Sequence, residues 1–453
     1  MRLFDVMKGE IGFRFDAEYF QKEYLREESN LSKIGIVKLG KNAFVTDGQH
    51  GYYESDENSN ISMLAARNCK DYFANSIDAL PLAKWVDDKN KRSSLQCGDI
   101  ILSTRGSVGC CAIVYNEVLP ANINQDVARI KLNNSDVFSP EFLITYLNCK
   151  YGQNWMMRNQ SGMVQQGLPL DKVRAIPLPL LSSTFQKQIE TLIKKSHHKL
   201  ITSNCLYQEA ENILLSELHL KNFKPRNESV SIRRFSDFVT SGRLDAEYYQ
   251  RKYDDLEEKI KSVSYKTVAD LQTFNARGVQ PDYIPNGNIS IVNSKHILEN
   301  GLDYDNFEKT SPEFLRQNER AVIRENDILV YTTGANVGRA QPYLLSDIAI
   351  ASNHVNILRL DGVNPIYAAL VLNSKVGRLQ TEKACTGSAQ AELYPADLEN
   401  FLIPILPKGK QEAIAERVKQ SFALRKESKE LLEFAKKKVE DEIYEISKEN
   451  NFR

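Results

Sequence analysis

The sequence predicts an α+β protein: two tandem modules of mixed strands and helices, separated by an antiparallel pair of long coiled-coil helices with pseudo-twofold symmetry. Three observations carry this. First, the chain is written twice. Arg14-Phe15-Asp16-Ala17-Glu18-Tyr19-Phe20-Gln21 returns 229 residues later as Arg243-Leu244-Asp245-Ala246-Glu247-Tyr248-Tyr249-Gln250. Second, each copy holds a strand signal followed by a glycine-punctuated turn, Asp99-Ile-Ile-Leu-Ser-Thr-Arg-Gly-Ser-Val-Gly109 and Asp327-Ile-Leu-Val-Tyr-Thr-Thr-Gly-Ala-Asn-Val-Gly338, the second with one inserted residue. Third, each copy ends in a long run of helix formers free of Pro and Gly. The period far exceeds the roughly 20–50 residues of solenoid repeats, so a whole module has been duplicated.

Within a module the elements follow in order. An amphipathic helix is expected at Asp16–Arg26, where Phe15, Tyr19, Phe20 and Tyr24 share a side. Short strands and turns fill Val37 to Lys131; residues 98–104 read as a buried strand and Ala112–Tyr115 as its partner across the turn. Asn124-Gln125 is echoed by Asn353-His354, each before another strand. Ser139-Pro140 places a capping serine and an N1 proline at a helix start running through Leu147. Ile176-Pro-Leu-Pro179 and Ile403-Pro-Ile-Leu-Pro407 are extended exits. The long helices then span about Thr184–Leu220 and Gln411–Ser447. In the first, Ile189, Ile193, Ser196, Leu200, Ser203, Tyr207, Ala210 and Leu214 alternate spacings of four and three. In the second, Ile414 and Val418 open a stripe that resumes at Leu432, Ala435, Val439 and Ile446. Each stripe is a coiled-coil seam on a helix about 50 Å long, and Ile189, Ile193, Leu214, Ile414, Val418 and Val439 are its expected core. A parallel pair is the alternative geometry. The segments are therefore 1–182 and 225–407 for the modules, 183–224 and 408–453 for the helices.

Composition bounds what such a chain does. Lys+Arg and Asp+Glu both number 59, so the 453 residues carry no net charge. That excludes a polycation gripping nucleic acid along its whole surface, and leaves room for local basic faces. No apolar run reaches the roughly 18 residues of a membrane span, and the first residues lack a secretory h-region; a cytoplasmic protein with no membrane contact is expected. The seven cysteines contain no C-x-x-C pair, so neither a disulfide framework nor a zinc site is indicated.

Motifs for catalysis are missing or better explained otherwise. Gly334–Arg339 has neither the spacing nor the lysine of a phosphate-binding loop, and the six histidines show no metal-ligand spacing. His197-His198 point to different sides of a helix. Asn364-Pro365-Ile366-Tyr367 resembles an adenine-methyltransferase tetrad, but it aligns with Ser139-Pro140-Glu141-Phe142, a plain helix start. Binding is a better expectation than chemistry, and no catalytic residue, cofactor or metal is assigned to this chain.

The doubled Asp-Ile strand with Thr-Arg-Gly-Ser-Val-Gly or Thr-Gly-Ala-Asn-Val-Gly resembles the target recognition domain of type I restriction–modification specificity subunits. Val45-Thr-Asp-Gly-Gln-His-Gly51, the Asn124-Gln125 and Asn353-His354 positions, and the proline exits into Lys187-Gln188-Ile189 and Lys410-Gln411-Glu412 add to it. The resemblance covers nearly the whole chain and implies a non-catalytic DNA reader. Each recognition domain would read one half of a bipartite, asymmetric site in double-stranded DNA, and the helices would fix the gap. Two methyltransferase subunits would dock on the helices and restriction/motor subunits would join them, carrying S-adenosylmethionine, ATP and Mg. A specificity-like subunit of another methyltransferase-based phage-defence system, or a stand-alone DNA-modifying enzyme, are the alternatives. The acidic-aromatic helix before each domain departs from this pattern; packing against the long helices is its expected role.

Candidate DNA-binding residues follow from side-chain chemistry. Arg and Lys read guanine and Asn and Gln read adenine, while Ser, Thr and backbone N–H groups hold phosphate. The glycine turns offer Thr104, Arg105 and Ser107, and Thr332, Thr333, Asn336 and Arg339; a turn needing glycine for structural reasons alone is the other reading. The divergent tracts offer Gln49, His50, Arg67 and Asn68, with Lys295 and His296, or else ordinary polar surface. Gln165, Gln166 and Gln390 precede the proline exits, where they read adenine or cap turns.

Overall fold

The computed structural model describes residues 19–70, 72–162, 167–226, 228, 230–386 and 391–449. The chain forms two compact units: residues up to 200 together with 426 onward, and residues 201–425. Each unit takes one end of each long helix, so the first is assembled from two separate segments and the second is one continuous stretch.

In the first unit, helix α1 (Lys22–Lys33) precedes β1 (Ile36–Lys38), β2 (Ala43–Asp47), β3 (Ser62–Leu64), β4 (Leu80–Pro81), β5 (Ile100–Ser103), β6 (Cys111–Ile113), β7 (Ala121–Ile123) and β8 (Val127–Leu132). Helices α2 (Pro140–Asn148) and α3 (Lys150–Arg158) and strand β9 (Pro177–Pro179) complete it before α4 (Ser183–Glu217). One antiparallel sheet has the order β2-β8-β5-β6; a second, β4-β3-β7, contains the parallel pair β3–β7; β1 pairs with β9. Ser139 Oγ accepts from the Phe142 N–H at 3.1 Å, capping α2 as the Ser-Pro pair predicts.

The second unit repeats this plan. It contains α5 (Arg251–Lys261), β10 (Tyr265–Thr267), β11 (Gln272–Arg277), β12 (Ile289–Val292), the hairpin β13 (Ile297–Leu298) and β14 (Gly301–Leu302), β15 (Glu308–Thr310) and β16 (Val322–Ile323). Then come β17 (Ile328–Tyr331), β18 (Ala340–Pro342), β19 (Ala349–Ala351), β20 (Val355–Leu360), α6 (Pro365–Asn373), α7 (Lys375–Ala384), β21 (Leu402–Pro404) and α8 (Lys408–Glu449). Its sheets run β11-β20-β17-β18 and β15-β12-β19-β16, again with one parallel pair, β12–β19, and β10 pairs with β21. Asn364 Oδ1 accepts from the N–H groups of Ile366 and Tyr367, so the Asn-Pro-Ile-Tyr tetrad is a helix cap.

The long helices are antiparallel within each unit. In the first, Ser196 Oγ donates to the Ser428 carbonyl and Ser428 Oγ to the Ser196 carbonyl, both at 2.9 Å, and Lys438 reaches Gln188. In the second, Ser203 Oγ donates to the Ser421 carbonyl at 2.8 Å, Arg417 faces Glu209 and Lys410 faces Glu217. Rising numbers on one helix meet falling numbers on the other, which rules out the parallel alternative. Ile189, Ile193 and Val439 are buried in the first unit, Leu214, Ile414 and Val418 in the second. The stripe expected to break after Val418 is in fact continuous: Ser421 and Ser428 are buried seam residues whose hydroxyls meet those of Ser203 and Ser196 on the facing helix.

The helix expected at Asp16–Arg26 starts later. Residues 1–18 lie outside those described, and α1 begins at Lys22, as α5 begins at Arg251, with Gln21 and Gln250 extended. The aromatic residues ahead of each helix are held by a cation. The Arg158 guanidinium lies 4.0 Å from the Tyr19 ring centre and 3.0 Å from Glu28; Lys383 lies 5.0 Å from the Tyr248 ring centre and 2.5 Å from Glu257. This motif therefore docks on α3 or α7, its cation's own helix, and not chiefly on the long helices.

The end of each main sheet is fixed by a glycine. A Cβ on Gly48 would lie 1.9 Å from the Ile123 carbonyl oxygen and one on Gly278 2.1 Å from that of Ala351, both far inside van der Waals contact. Gly48→Ala should therefore destabilise the protein by about 1–3 kcal/mol, seen as a lowered Tm and a weakened loop conformation.

One buried charge distinguishes the copies. Glu27 is 8% exposed on α1, where α5 has Leu256, and both its oxygens accept from Asn154 Nδ2. Burial raises its pKa above the ordinary carboxylate value, with the Asn154 bond opposing. The folded state thus holds this proton more tightly than the unfolded chain, and stability falls as pH rises through the raised value. Glu27→Gln keeps an acceptor for Asn154. It should raise Tm at neutral pH, with the two melting curves converging below about pH 4.

Candidate nucleic-acid interface

In the first unit, three loops converge where β2, β5 and β7 end. Gly48 leads β2 into Gln49, whose N–H donates to the Ile123 carbonyl (3.2 Å), bringing the loop beside the turn Asn124–Val127. β5 leads into Thr104, whose N–H donates to the Asp126 carbonyl at 2.8 Å and whose hydroxyl donates to the same atom at 3.1 Å. Leu168 closes against this loop, its N–H donating to the Thr104 carbonyl at 2.9 Å.

The side chains on this edge are polar and partly exposed. Arg105 is half exposed, its Nη1 3.7 Å from Asp126 Oδ1. His50 Nε2 lies 2.7 Å from Asp47, and Arg92 donates to both Thr46 and Asp47. Gln49 accepts from Asn90 Nδ2 and donates to the Tyr52 carbonyl, and the Tyr52 ring is exposed. The glycine turn leaves the N–H groups of Ser107 and Val108 without an acceptor among the described residues. Consecutive amides turned outward in this way suit an anion.

The second unit builds the same edge. Gly278 leads β11 past the turn Ser352–Val355, and Thr332 N–H donates to the His354 carbonyl at 3.1 Å. Leu393 N–H donates to the Thr332 carbonyl and Gly334 N–H to the Ala391 carbonyl, both 2.9 Å. The turn leaves the Ala335 and Asn336 N–H groups unmatched among the described residues. Asn336 is exposed and accepts from Arg339, which also donates to the Ile297 carbonyl. Burial lowers the Arg339 pKa, opposed by Glu299. Arg277 donates to the Leu393 carbonyl and stacks 4.6 Å from the Tyr394 ring centre.

The structure brings Gln49, His50, Thr104, Arg105 and Ser107 to one edge, and Thr332, Thr333, Asn336 and Arg339 to its counterpart. Thr104, Thr332 and Thr333 are buried braces, leaving Arg105, Ser107 and Asn336 as outward groups. Arg67, Asn68, Lys295 and His296 occupy short turns after β3 and β12. Asn68 is buried, accepting from Ala65 N–H and donating to the Ile77 carbonyl. His296 is buried too, its Nδ1 accepting from Asn293 N–H, and burial lowers its pKa. Arg67 is exposed and donates to the Asp78 carbonyl; Lys295 pairs with Glu308. Gln165, Gln166 and Gln390 lie outside the described residues. The expected match of Asn124-Gln125 with Asn353-His354 is one residue out of register. Thr104 binds Asp126 where Thr332 binds His354, because the link from β6 to β7 has one residue more than that from β18 to β19. Asp126, His354, Asn90 and Arg92 are residues of this edge that sequence reasoning passed over; correct register would have exposed the first two.

No curated protein matches this sequence. Among solved structures, the type I restriction–modification S subunit from M. genitalium is similar at 11% identity and TM-score 0.44, over 91% of this chain and 95% of that one. The HsdS subunit from Thermoanaerobacter tengcongensis is similar at 14% identity and TM-score 0.30, over 90% and 96%. The family profile described as the type I restriction modification DNA specificity domain matches residues 258–433. That stretch holds the second unit's sheets, its loop edge and the start of α8, and the first unit repeats its topology strand for strand apart from the extra β13, β14 and β16. The match to the type I restriction modification DNA specificity domain is thus confined to residues 258–433, the second unit's sheets and loop edge with the start of α8.

Proposed function

We propose that this chain is the sequence-reading subunit of a type I restriction–modification complex. Each loop edge reads one half of a bipartite, asymmetric site in double-stranded DNA. The paired long helices set the gap and dock two methyltransferase subunits, and restriction/motor subunits complete the assembly in the cytoplasm. S-adenosylmethionine, ATP and Mg are carried by those partners. One observation supports this above the others: the two edges share a backbone, with glycine-held loops and free turn amides, and differ in the side chains they present. Shared amides suit phosphate, which is the same everywhere on DNA; unshared side chains suit bases.

Arg105→Ala should weaken binding to DNA carrying the first unit's half-site by about 1–3 kcal/mol while leaving the other half's preference intact; gel-shift titration against half-site mutants measures it. An equal loss on every sequence would reduce Arg105 to a phosphate contact. Lengthening α4 and α8 by four residues each should change the preferred gap, read by mapping modified adenines genome-wide; an unchanged gap would remove the helices from that role.

A further inference from the structure

The turn that closes each loop edge has one backbone and two different third residues. In the first unit Val127 N–H donates to the Asn124 carbonyl at 3.2 Å, and in the second Val355 N–H donates to the Ser352 carbonyl at 3.0 Å. The carbonyl of the third residue, Asp126 or His354, receives the N–H of the threonine leaving the neighbouring strand. The root of this side chain is therefore held alike in both units, and its tip is accessible: Asp126 is one-third exposed and His354 is exposed.

The chemistry at the two positions is opposed. Asp126 Oδ2 accepts a long bond from Asn124 Nδ2 at 3.4 Å, while its Oδ1 faces the half-exposed Arg105 at 3.7 Å, too long for a hydrogen bond, so the guanidinium and this oxygen keep their capacity for a ligand. An exposed pair of this kind contributes little to the fold and separates readily. In the second unit the place of Arg105 is taken by the buried Thr333, and the His354 ring makes no hydrogen bond to a described residue.

Resting on the DNA-reading function proposed above, we infer that this third turn position sets the base taken at one point in each half-site: with Arg105, Asp126 selects a G·C pair, whereas His354 selects a purine through its N7 or guanine O6. The major-groove edge of G·C presents two adjacent acceptors, guanine N7 and O6, and then the cytosine N4 amino donor. A donor fork beside a carboxylate is the complement of that order. On A·T the same pair would set the guanidinium against the adenine amino group and the carboxylate against thymine O4, two repulsive contacts. A lone imidazole in the second unit offers a single N–H donor with neither the guanidinium fork nor the carboxylate beside it, so its donor takes a purine acceptor, N7 or guanine O6.

The test is selection of randomised duplex DNA on the full chain co-purified with its methyltransferase subunits, followed by sequencing. The parent should show a fixed G·C column in one half. Asp126→Asn keeps the turn, whose Asn124 Oδ1 accepts from residue 126 N–H, and should relax that column alone, by roughly ten-fold in discrimination. His354→Asp should convert one column of the other half to an amino-bearing base, while His354→Gln, which donates and accepts, should keep a purine there and favour adenine. Unchanged columns in Asp126→Asn and His354→Asp, or a loss equal on all sequences, would overturn the inference with the proposed function intact. A parent that enriches no bipartite motif would overturn both.

Discussion

Each unit's main sheet is organised around one buried aspartate. Asp99 opens β5 and Asp327 opens β17; each carboxylate accepts an N–H from the preceding turn, Gln96 or Arg324, at 2.8 Å. Each also holds an arginine from the adjacent strand at 2.7 Å, Arg129 from β8 and Arg359 from β20. Removing one partner of a buried pair typically costs about 3–5 kcal/mol, because the other charge is left without compensation. Burial pushes the Asp99 pKa up even beside Arg129, the mark of a carboxylate far from water. The pair fixes where β5 lies against β8, and therefore where both strands end. Those ends are where Thr104 and the turn at Asp126 meet. The loop edge is thus positioned from the opposite end of the sheet.

The long helices work by a different economy. Their seam alternates large apolar residues with serines, and the serines lie where the backbones are bonded to each other through side-chain hydroxyls. A hydroxyl buried among Ile and Leu would be a loss if unpaired, yet Ser196 with Ser428, and Ser203 with Ser421, satisfy each other and the facing carbonyls. Such pairing demands one register, since a shift along either helix would leave hydroxyls facing side chains that cannot answer them. Ionic pairs on the flanks, Lys199 with Glu427 and Arg417 with Glu209, agree with that register but are exposed and contribute little.

The sequence shows this fold where a residue's role depends on local pattern. The repeated aspartate, the glycine turns, the Ser-Pro and Asn-Pro helix starts and the apolar seam positions are all readable, because capping, turn geometry and periodicity act within a few residues. What depends on partners far along the chain is not. Arg129 and Arg359 serve the same aspartate from positions two residues apart in the aligned strands, which keeps them on one face and hides their equivalence. Ser421 and Ser428 look like a break in a stripe until the facing serines are seen. Asn68 and His296 carry side chains suited to reading bases, but both are spent on their own turns, a commitment that only burial reveals. Arg92 and Asn90 reach the edge from a short turn more than forty residues from the loop they touch.

The division between what repeats and what varies follows from where free energy is invested. Gly48 and Gly278 admit no side chain, Asp99 and Asp327 no neutral substitute, and Thr104 and Thr332 are buried where the strand leaves the sheet. Change at any of these moves the backbone. Asp126 and His354 are tied to the neighbouring strand through their carbonyls, so exchanging one side chain for another alters the outer surface and little beneath it. A duplicated reader can therefore drift apart at such positions without losing either sheet, and an asymmetric recognition surface arises from a symmetric framework at almost no cost in stability.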